Sequence, residues 1–350
     1  MTDTHFKDIG IDELLAPLEE SKLVPLIQKI SHNFTKDRSK IGDYIETDQF
    51  VSAYTWFYMP TNKFKLGYFF DLLDDSLINL ISNSPFIDYG CGPGTYTWAL
   101  LDYFENKTPF SNNLFLVDKS RPMLRQARKI HAESYSDYPI ANFLSDIPQG
   151  SVKDPVLFFG NSLNEMSLNH IESLIQKLDP IAIAYIEPGT KESFNQLLNL
   201  RNYLIENGYT INYPCPSQEI CPLNNSNDWC HQIVLPDYPE SIHRKCQLTS
   251  LDRRSLPMVA HFFTKTPVSQ SQNSGLIFRY LGETKGTINF EVCLKTETGN
   301  ELKRIEAEKR GLSKKQIKQI KQMTSGMPIK FQITKTLENE TIRCKIELSE

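Results

Sequence analysis

The pattern of apolar and polar residues divides the chain into a helical beginning, an alternating middle and a strand-rich end. In residues 11–30 and 62–82, apolar side chains recur at helical spacing, which predicts a helical region over residues 1–82. From 83 to 268, short apolar runs alternate with amphipathic segments, as in β-α-β units. The predicted strands are 85–88, 114–118, 140–144, 156–159, 181–186, 210–213 and 259–265, and the predicted helices are 96–104, 121–132 and 191–207.

This middle part predicts an α/β fold with a mostly parallel, doubly wound sheet. A stretch rich in Pro, Ser, Gln and Asn, residues 266–275, predicts a linker. Within residues 269–350, alternating apolar and polar positions predict half-buried strands, interrupted by a helix that Ser313 caps. The predicted elements are strands 275–281, 287–295, 328–334 and 341–348 and helix 314–323. They predict a small β-rich domain, for which barrel closure is one arrangement that the pattern allows.

Charge and targeting signals narrow the class of protein. The chain has 350 residues and a net charge of −4, so contact with nucleic acid requires a local basic patch. The apolar runs have strand length, which predicts no membrane span, and the first residues resemble neither a secretory signal nor a presequence. The expected location is the cytoplasm.

The most specific motif is the run from Asp88 to Thr95, DYGCGPGT, between a predicted strand and a predicted helix. Glycines at such a turn let the backbone approach a ligand closely. A dinucleotide fingerprint needs a third glycine where Thr95 stands, and a P-loop needs a Gly-Lys-Ser/Thr ending that is missing. The spacing of Gly90, Gly92 and Gly94 after the aspartate instead resembles the first motif of class I S-adenosylmethionine (SAM) methyltransferases. The alternative is an ordinary tight turn in which Asp88 caps a helix.

Three further residues follow predicted strands and extend this candidate cofactor site. Asp118 closes the next strand, where a carboxylate can accept hydrogen bonds from a ribose diol. Asp146 follows the third strand and is a candidate for the adenine amino group, or an ordinary turn aspartate. Asn161 follows the fourth strand with Asn164 and Glu165, at the expected mouth of the site. No residue there has the sequence context of a catalytic base, so no catalytic residue is assigned.

The seven cysteines are odd in number and lack a secretory context, which argues against a disulfide framework. Cys215, Cys221 and Cys230 fall within sixteen residues among prolines, and this density favours zinc or an iron–sulfur cluster over buried thiols. A fourth ligand is then required. The candidates are Cys293, Cys246 and His231, whereas Cys91 and Cys344 are expected to be ordinary thiols.

These motifs together resemble one family, the methyltransferase-like assembly factor of the mitochondrial small ribosomal subunit with its bacterial relatives. The resemblance covers roughly residues 45–325. It rests on the glycine motif, on Glu187-Pro-Gly-Thr and on the cysteine loop 214–231 with Trp229-Cys230-His231. It implies a class I methyltransferase core, an inserted cysteine loop and a β-rich extension. For the mitochondrial branch it implies a [4Fe–4S] cluster on three loop cysteines and one distant cysteine, which here matches Cys293.

The chain also departs from the family pattern, at residues 232–235 and 252–257. Residues 301–322 carry eight basic residues and three glutamates, either an rRNA-binding patch or a solvated helix face. Mid-helix Arg201 is expected to be a surface charge. The leading hypothesis is a SAM-binding, iron–sulfur protein, an active or silent methyltransferase, that acts on the small ribosomal subunit or its rRNA. The alternative is a SAM-dependent methyltransferase of a small molecule or protein with a structural zinc site.

Overall fold

The structure is a computed structural model that describes residues 6–36, 47–105, 107, 109–138, 141–266, 274–337 and 340–348. The chain divides into two units, one formed by Met1–Ile186 with Val234–Leu256 and the other by Glu187–Ile233 with Pro257–Glu350. Residues 267–273 of the predicted linker lie outside the described residues. Among the residues described, no helix combines the length and the apolar character needed to cross a membrane.

The first unit begins with helices whose bounds differ from the prediction. They are α1 (Glu20–Lys36), α2 (Asp48–Phe70) and α3 (Asp75–Ser82). The predicted helix 11–30 thus begins only at Glu20, and the predicted helix 62–82 is two helices separated at residues 71–74. The pattern missed the first half of α2 because this helix is buried on nearly all sides, so it lacks the polar face that marks a surface helix.

The remaining elements of the first unit form the predicted α/β core. Its strands are β1 (Phe86–Tyr89), β2 (Leu114–Val117), β3 (Ala141–Leu144), β4 (Val156–Gly160) and β5 (Ala182–Pro188); its helices are α4 (Thr95–Glu105), α5 (Arg121–Ser134), α6 (Leu168–Leu178) and, after the strands, α8 (Glu240–Thr249). The strands pair in parallel in the order β3-β2-β1-β4-β5, with Asp88 opposite both Leu116 and Phe158. This order reverses direction at β1, which places the β1–α4 loop at the usual ligand-binding edge of a doubly wound sheet.

The second unit contains α7 (Lys191–Glu206), β6 (Thr210–Tyr213), β7 (Gln232–Val234) and β8 (Leu256–Thr264). β8 pairs antiparallel with β6 and also pairs with β7. The sequence pattern identified β6 and β8 but missed the three-residue strand β7 and the helices α6 and α8. The predicted fold class, an α/β core followed by a β-rich part, is confirmed.

The C-terminal strands of the second unit close into a barrel in the order β10-β11-β13-β12-β9. The elements are β9 (Ser274–Glu283), β10 (Thr287–Thr296), β11 (Gly299–Glu308), α9 (Lys314–Lys321), β12 (Pro328–Thr336) and β13 (Ile342–Glu347). β11 and β13 are parallel and the other pairs are antiparallel. With α9 between the third and fourth strands, this is the five-stranded Greek-key arrangement of an OB-type barrel. Its interior is apolar, with Ile277, Phe290, Val292, Ile305 and Ile329 at its centre.

One buried ion pair lies in the helical layer of the first unit. The Lys63 ammonium contacts the Asp102 carboxylate at 2.5 Å, and both side chains are fully buried. The Tyr135 hydroxyl donates to Asp102 at 2.9 Å and accepts from Lys63 at 2.9 Å. The Lys7 carbonyl also accepts from Lys63. Because every charged group has partners, this network can hold α2, α4 and the N-terminal segment together.

We expect Lys63→Met to lower the free energy of unfolding by about 3–5 kcal/mol, because it leaves the Asp102 carboxylate buried without its cation. Urea unfolding followed by circular dichroism measures the change. The matched control is Arg254→Met, which removes a solvent-exposed ion pair with Asp252 and should leave the stability nearly unchanged. Equal effects of the two substitutions would contradict a structural role for the buried network.

Candidate functional site

The glycines between β1 and α4 are required by backbone conformation and by space. Gly90, Gly92 and Gly94 have φ of 76°, 56° and 86°, a region that L side chains rarely adopt. A Cβ at Gly94 would lie 2.4 Å from the Trp98 indole nitrogen, and one at Gly90 would lie 2.5 Å from the Ser162 Cβ. At Gly92 the nearest side-chain atom would be 4.0 Å away. The loop is therefore packed on two sides and open at its middle glycine.

Asp88 lies under this loop and organises the start of α4. Its Oδ2 accepts hydrogen bonds from the backbone N–H of Thr97 at 3.2 Å and from the Thr97 hydroxyl at 2.8 Å. Burial raises the pKa of Asp88 to about 7, and the Thr97 bonds oppose that shift. Asp88 thus makes the helix-start contacts expected of the capping alternative, and its role toward a cofactor stays a prediction.

Asp118 ties the glycine loop to the end of β2. One carboxylate oxygen accepts the Gly92 N–H at 2.8 Å, and the other accepts the Ser120 N–H at 2.7 Å. Burial raises the pKa of Asp118, while these two backbone bonds lower it. The carboxylate is thereby held at the edge of the sheet beside the open side of Gly92.

Asn161 brings the end of β4 to the same loop. Its amide nitrogen donates to the Tyr96 hydroxyl at 2.8 Å, and its φ is 56°. The neighbouring Ser162 hydroxyl donates to the Tyr89 carbonyl at 2.9 Å. A Cβ on Gly160 would lie 2.0 Å from the Tyr96 ring, so a glycine is needed where the strand meets that ring.

Three buried oxygens around the loop have no hydrogen-bond partner among the residues that the structure describes: Asp88 Oδ1, Thr95 Oγ1 and Asn161 Oδ1. Buried acceptors are nearly always satisfied, because an unpaired one retains its desolvation penalty. Three of them beside one glycine loop fit a polar ligand that completes their hydrogen bonds.

Asp146 is placed differently from the other predicted cofactor residues. It is exposed after β3, its carboxylate accepts the Ile147 N–H at 2.8 Å, and it pairs with Lys177 at 3.3 Å. An adenine contact by Asp146 remains a prediction.

Tyr54 and Arg253 interact electrostatically near the predicted mouth, and neither was identified from the sequence. Asn164 and Glu165 lie in a short 3-10 helix after β4. Burial, and then the Glu165 carboxylate, raise the pKa of Tyr54 on α2 well above its usual range, while the Arg253 guanidinium lowers it. Arg253 itself donates to the Asn62 side chain at 2.6 Å. Nothing in the sequence marked them, because Tyr54 lies in a nearly all-buried helix and Arg253 in a loop distant along the chain.

In the second unit, the four predicted metal ligands line one cavity of about 30 Å3. Cys215, Cys221 and Cys230 belong to the cysteine loop, residues 214–231, between β6 and β7, and Cys293 lies on β10. Cys293 alternates with Val292 and Leu294 of the barrel core, so its thiol is on the outer face of the barrel. The other described lining residues are Phe194, Leu198, Arg201, Pro214, Pro216, Pro222, Leu223, His261, Leu276, Phe278, Asn300 and Leu302.

The four sulfurs influence one another electrostatically. Burial, and then interaction with the other cysteines, raise the pKa of Cys230 and Cys293 well above the usual range and that of Cys221 to about 11. These thiols hold their protons at neutral pH, so a metal must displace protons to bind them. Among the described residues, no group of three or more His, Cys, Asp or Glu side chains is arranged to hold a metal ion.

The other cysteines and His231 occupy separate places. Cys91 is buried in the glycine loop, Cys344 is buried in the barrel core and Cys246 is partly buried on α8. The His231 ring stacks on Trp229, and its Nδ1 lies 3.3 Å from the Trp229 carbonyl oxygen. None of these four residues is among the described residues that line the cavity.

Arg201 is not the surface charge that the sequence predicted. It is 2% exposed, and its Nε donates to the Cys215 sulfur at 3.3 Å. Its Nη2 donates to the carbonyls of Glu219 at 2.7 Å and Ser217 at 3.2 Å. The sequence did carry a signal, because Leu197 and Leu204 place position 201 on the apolar face of α7.

Asn300 joins the cysteine loop to the barrel and was also missed. Its Oδ1 accepts from the Ser217 hydroxyl at 2.8 Å, and its Nδ2 donates to the Glu219 carbonyl at 2.9 Å. Arg279 on β9 also forms an ion pair with Asp228 of the loop. These contacts fix the loop against the outer faces of β9, β10 and β11.

The Glu187-Pro-Gly-Thr motif shapes the start of α7. Thr190 caps the helix by accepting the Ser193 N–H at 3.2 Å. A Cβ on Gly189 would lie 2.7 Å from the Met258 nitrogen, and the Gly189 carbonyl accepts the Trp229 indole N–H at 3.1 Å. Glu187 is buried at the end of β5.

The basic run 301–322 is split by local ion pairs. Lys303 pairs with Glu301 and Glu340, and both Lys309 and Lys321 contact Glu283. On α9, Lys314, Lys315 and Lys318 are exposed. Lys314, Lys318 and Lys321 recur four and three residues apart, and so share one face of α9.

The family model described as mitochondrial small ribosomal subunit Rsm22 matches residues 49–318. No curated protein matches the chain.

Several solved structures share part of the fold. Magnesium protoporphyrin IX methyltransferase from Synechocystis PCC 6803, with bound SAM, is 12% identical, covers 70% of this chain and 97% of its own, and gives a TM-score of 0.36. An rRNA methylase from Escherichia coli is 11% identical over 71% of this chain and 78% of its own, with a TM-score of 0.36. At these TM-scores the similarity is partial and assigns no activity to this chain.

Proposed function

Because the chain belongs to the mitochondrial small ribosomal subunit Rsm22 family, we propose that it binds SAM and a [4Fe–4S] cluster and acts on the small ribosomal subunit or its rRNA. The observation that carries the proposal is the position of Cys293, which lines one cavity with the three loop cysteines although it lies 63 positions after Cys230. The cytoplasm remains the predicted location.

The glycine loop supports the SAM part of the proposal. SAM has no phosphates, so its site needs backbone approach, a carboxylate for the ribose and acceptors for polar groups. Gly92 and Asp118 offer the first two, and the buried oxygens of Asp88, Thr95 and Asn161 offer the third. When bound, SAM supplies an activated methyl group. The chain's own contribution is to hold donor and acceptor in line, which can lower the barrier by several kcal/mol.

The cysteine set supports the cluster part. Four thiolates are the usual ligands of a [4Fe–4S] cluster, and Cys215, Cys221, Cys230 and Cys293 are the residues that would hold it. The prolines beside Cys215 and Cys221 stiffen the loop. A zinc site uses the same donor set and is the alternative outcome of the metal experiment below.

The cysteine loop covers one face of the barrel, and this limits where RNA would bind. OB-type barrels commonly bind oligonucleotides on their second and third strands, here β10 and β11. In this chain Cys293, Asn300 and Leu302 on that face line the cavity beneath the cysteine loop. The exposed lysines of α9 are a basic surface of the second unit that supports rRNA contact, through phosphate neutralisation.

The SAM proposal predicts that the parent protein binds SAM in isothermal titration calorimetry. Asp118→Asn should raise the Kd by about 10-fold or more, because a hydrogen bond to a charged acceptor is worth about 1.5–3 kcal/mol. Asp154→Asn, at an exposed turn, is the matched control and should leave the Kd unchanged. Asp146→Asn in the same series tests the adenine contact. A parent protein that binds no SAM would exclude this part of the proposal.

The cluster proposal predicts that anaerobically purified protein is coloured and carries iron and acid-labile sulfide in equal amounts. Cys293→Ala should lose more than half of both, because the distant strand supplies the fourth ligand. Cys344→Ala is the control, since this thiol is in the barrel core and should leave the iron content unchanged. Colourless protein with stoichiometric zinc would reject the cluster and favour the structural zinc site of the alternative function.

The ribosome proposal predicts that the tagged protein sediments with small ribosomal subunits or their precursors in sucrose gradients. The triple variant Lys314/Lys315/Lys318→Gln should weaken that association and lower the salt-dependence slope of rRNA binding by about 2. Lys330/Lys335/Lys345→Gln, which removes exposed lysines from β12 and β13, should have the smaller effect. Protein found only in free fractions would instead favour a small-molecule or protein substrate, which a labelled-methyl assay would then identify.

A further inference from the structure

The buried guanidinium of Arg201 occupies an unusual position beside the cysteine cavity. Charged side chains are rarely fully buried unless they are paired or hydrogen-bonded, because the loss of hydration is large. Here the guanidinium donates hydrogen bonds to Cys215, Asn202, Ser217 and Glu219. Three of those four acceptors belong to the cysteine loop.

The fork of the guanidinium clamps the segment between the first two loop cysteines. The carbonyls of Ser217 and Glu219 both accept from Nη2, at 3.2 and 2.7 Å. The same two carbonyls are near Asn300 of the barrel, which donates to them at 3.4 and 2.9 Å. The loop path between Cys215 and Cys221 is therefore set jointly by α7 and by β11.

The Nε donor of Arg201 forms a hydrogen bond with a cysteine sulfur. Nε donates to the Cys215 Sγ at 3.3 Å, well within the range for a hydrogen bond to sulfur. Among the described residues that line the cavity, Arg201 is the permanent cation. His261, the other basic side chain there, stays neutral at pH 7, because burial and the nearby Arg201 charge lower its pKa to about 3.

We propose that Arg201 is a positioning residue for the metal centre, which fixes the cysteine loop and stabilises the metal-bound thiolate of Cys215. Hydrogen bonds to ligand sulfurs and nearby charge are the means by which a protein tunes iron–sulfur clusters. A positive charge and an N–H···S bond both favour the more negative, reduced form, so Arg201 raises the reduction potential. This inference rests on the proposed cluster.

The test compares Arg201→Met and Arg201→Lys with the parent protein, all purified without oxygen. Iron and sulfide are measured per chain, and the potential is measured by dithionite titration followed by electron paramagnetic resonance. We expect Arg201→Met to lose more than half of its iron and to show a more negative potential in the loaded fraction. Arg201→Lys keeps the positive charge but loses the planar guanidinium. Its iron content and reduction potential should therefore lie between those of the parent protein and Arg201→Met. Arg343→Met is the control, because its guanidinium pairs with Glu306 on the barrel and does not line the cavity.

Parent-like iron content together with a parent-like potential in Arg201→Met would overturn the proposal. If that variant does not fold, the folded Arg201→Lys variant decides. A lower iron content or a shifted potential in Arg201→Lys supports the positioning role of Arg201. Iron content and potential that both equal the parent values overturn the proposal. Failure of the cluster itself is a separate result, since the parent protein would then lack iron and sulfide before any substitution is made.

Discussion

The alternation of side chains along β10 is the constraint on which the cysteine site depends. Val292 and Leu294 point into the barrel core, so Cys293 between them must point outward. A register shift of one residue would bury the thiol and expose two apolar side chains, which the packed core of the barrel opposes. The packing of the barrel core therefore fixes the outward direction of the Cys293 thiol.

Some buried polar groups of this molecule are hydrogen-bonded within the chain, and others have no partner among the described residues. The first kind contributes to stability, and the second is suited to ligand binding. The Lys63–Asp102–Tyr135 network satisfies its members within the chain, so it holds elements together. Around the glycine loop, buried oxygens of Asp88 and Asn161 have no partner among the residues that the structure describes. Such unpaired oxygens can accept hydrogen bonds from a bound ligand.

In the second unit, polar contacts hold the cysteine loop against one face of the barrel. Asn300 and Arg201 hold the carbonyls of Ser217 and Glu219, which keeps the cysteine loop over β10 and β11. The strands that commonly bind oligonucleotides in OB-type barrels are thereby covered, while Lys314, Lys315 and Lys318 of α9 are exposed. These polar contacts and the apolar barrel core together set which surfaces of the second unit are covered and which are exposed.

Local sequence pattern was enough to predict several parts of this molecule. The α/β core, the β-rich end and the loop of Gly90, Gly92 and Gly94 followed from periodicity and from the conformational freedom of glycine. Spacing together with family resemblance singled out the four cysteines that line one cavity. Other features depend on how distant segments pack together in the tertiary structure. This packing divided the predicted helix 62–82, buried Arg201 against the cysteine loop and brought Tyr54 toward Glu165. These outcomes depend on which distant segments pack together, and a side chain's environment is set by neighbours that no local window of sequence contains.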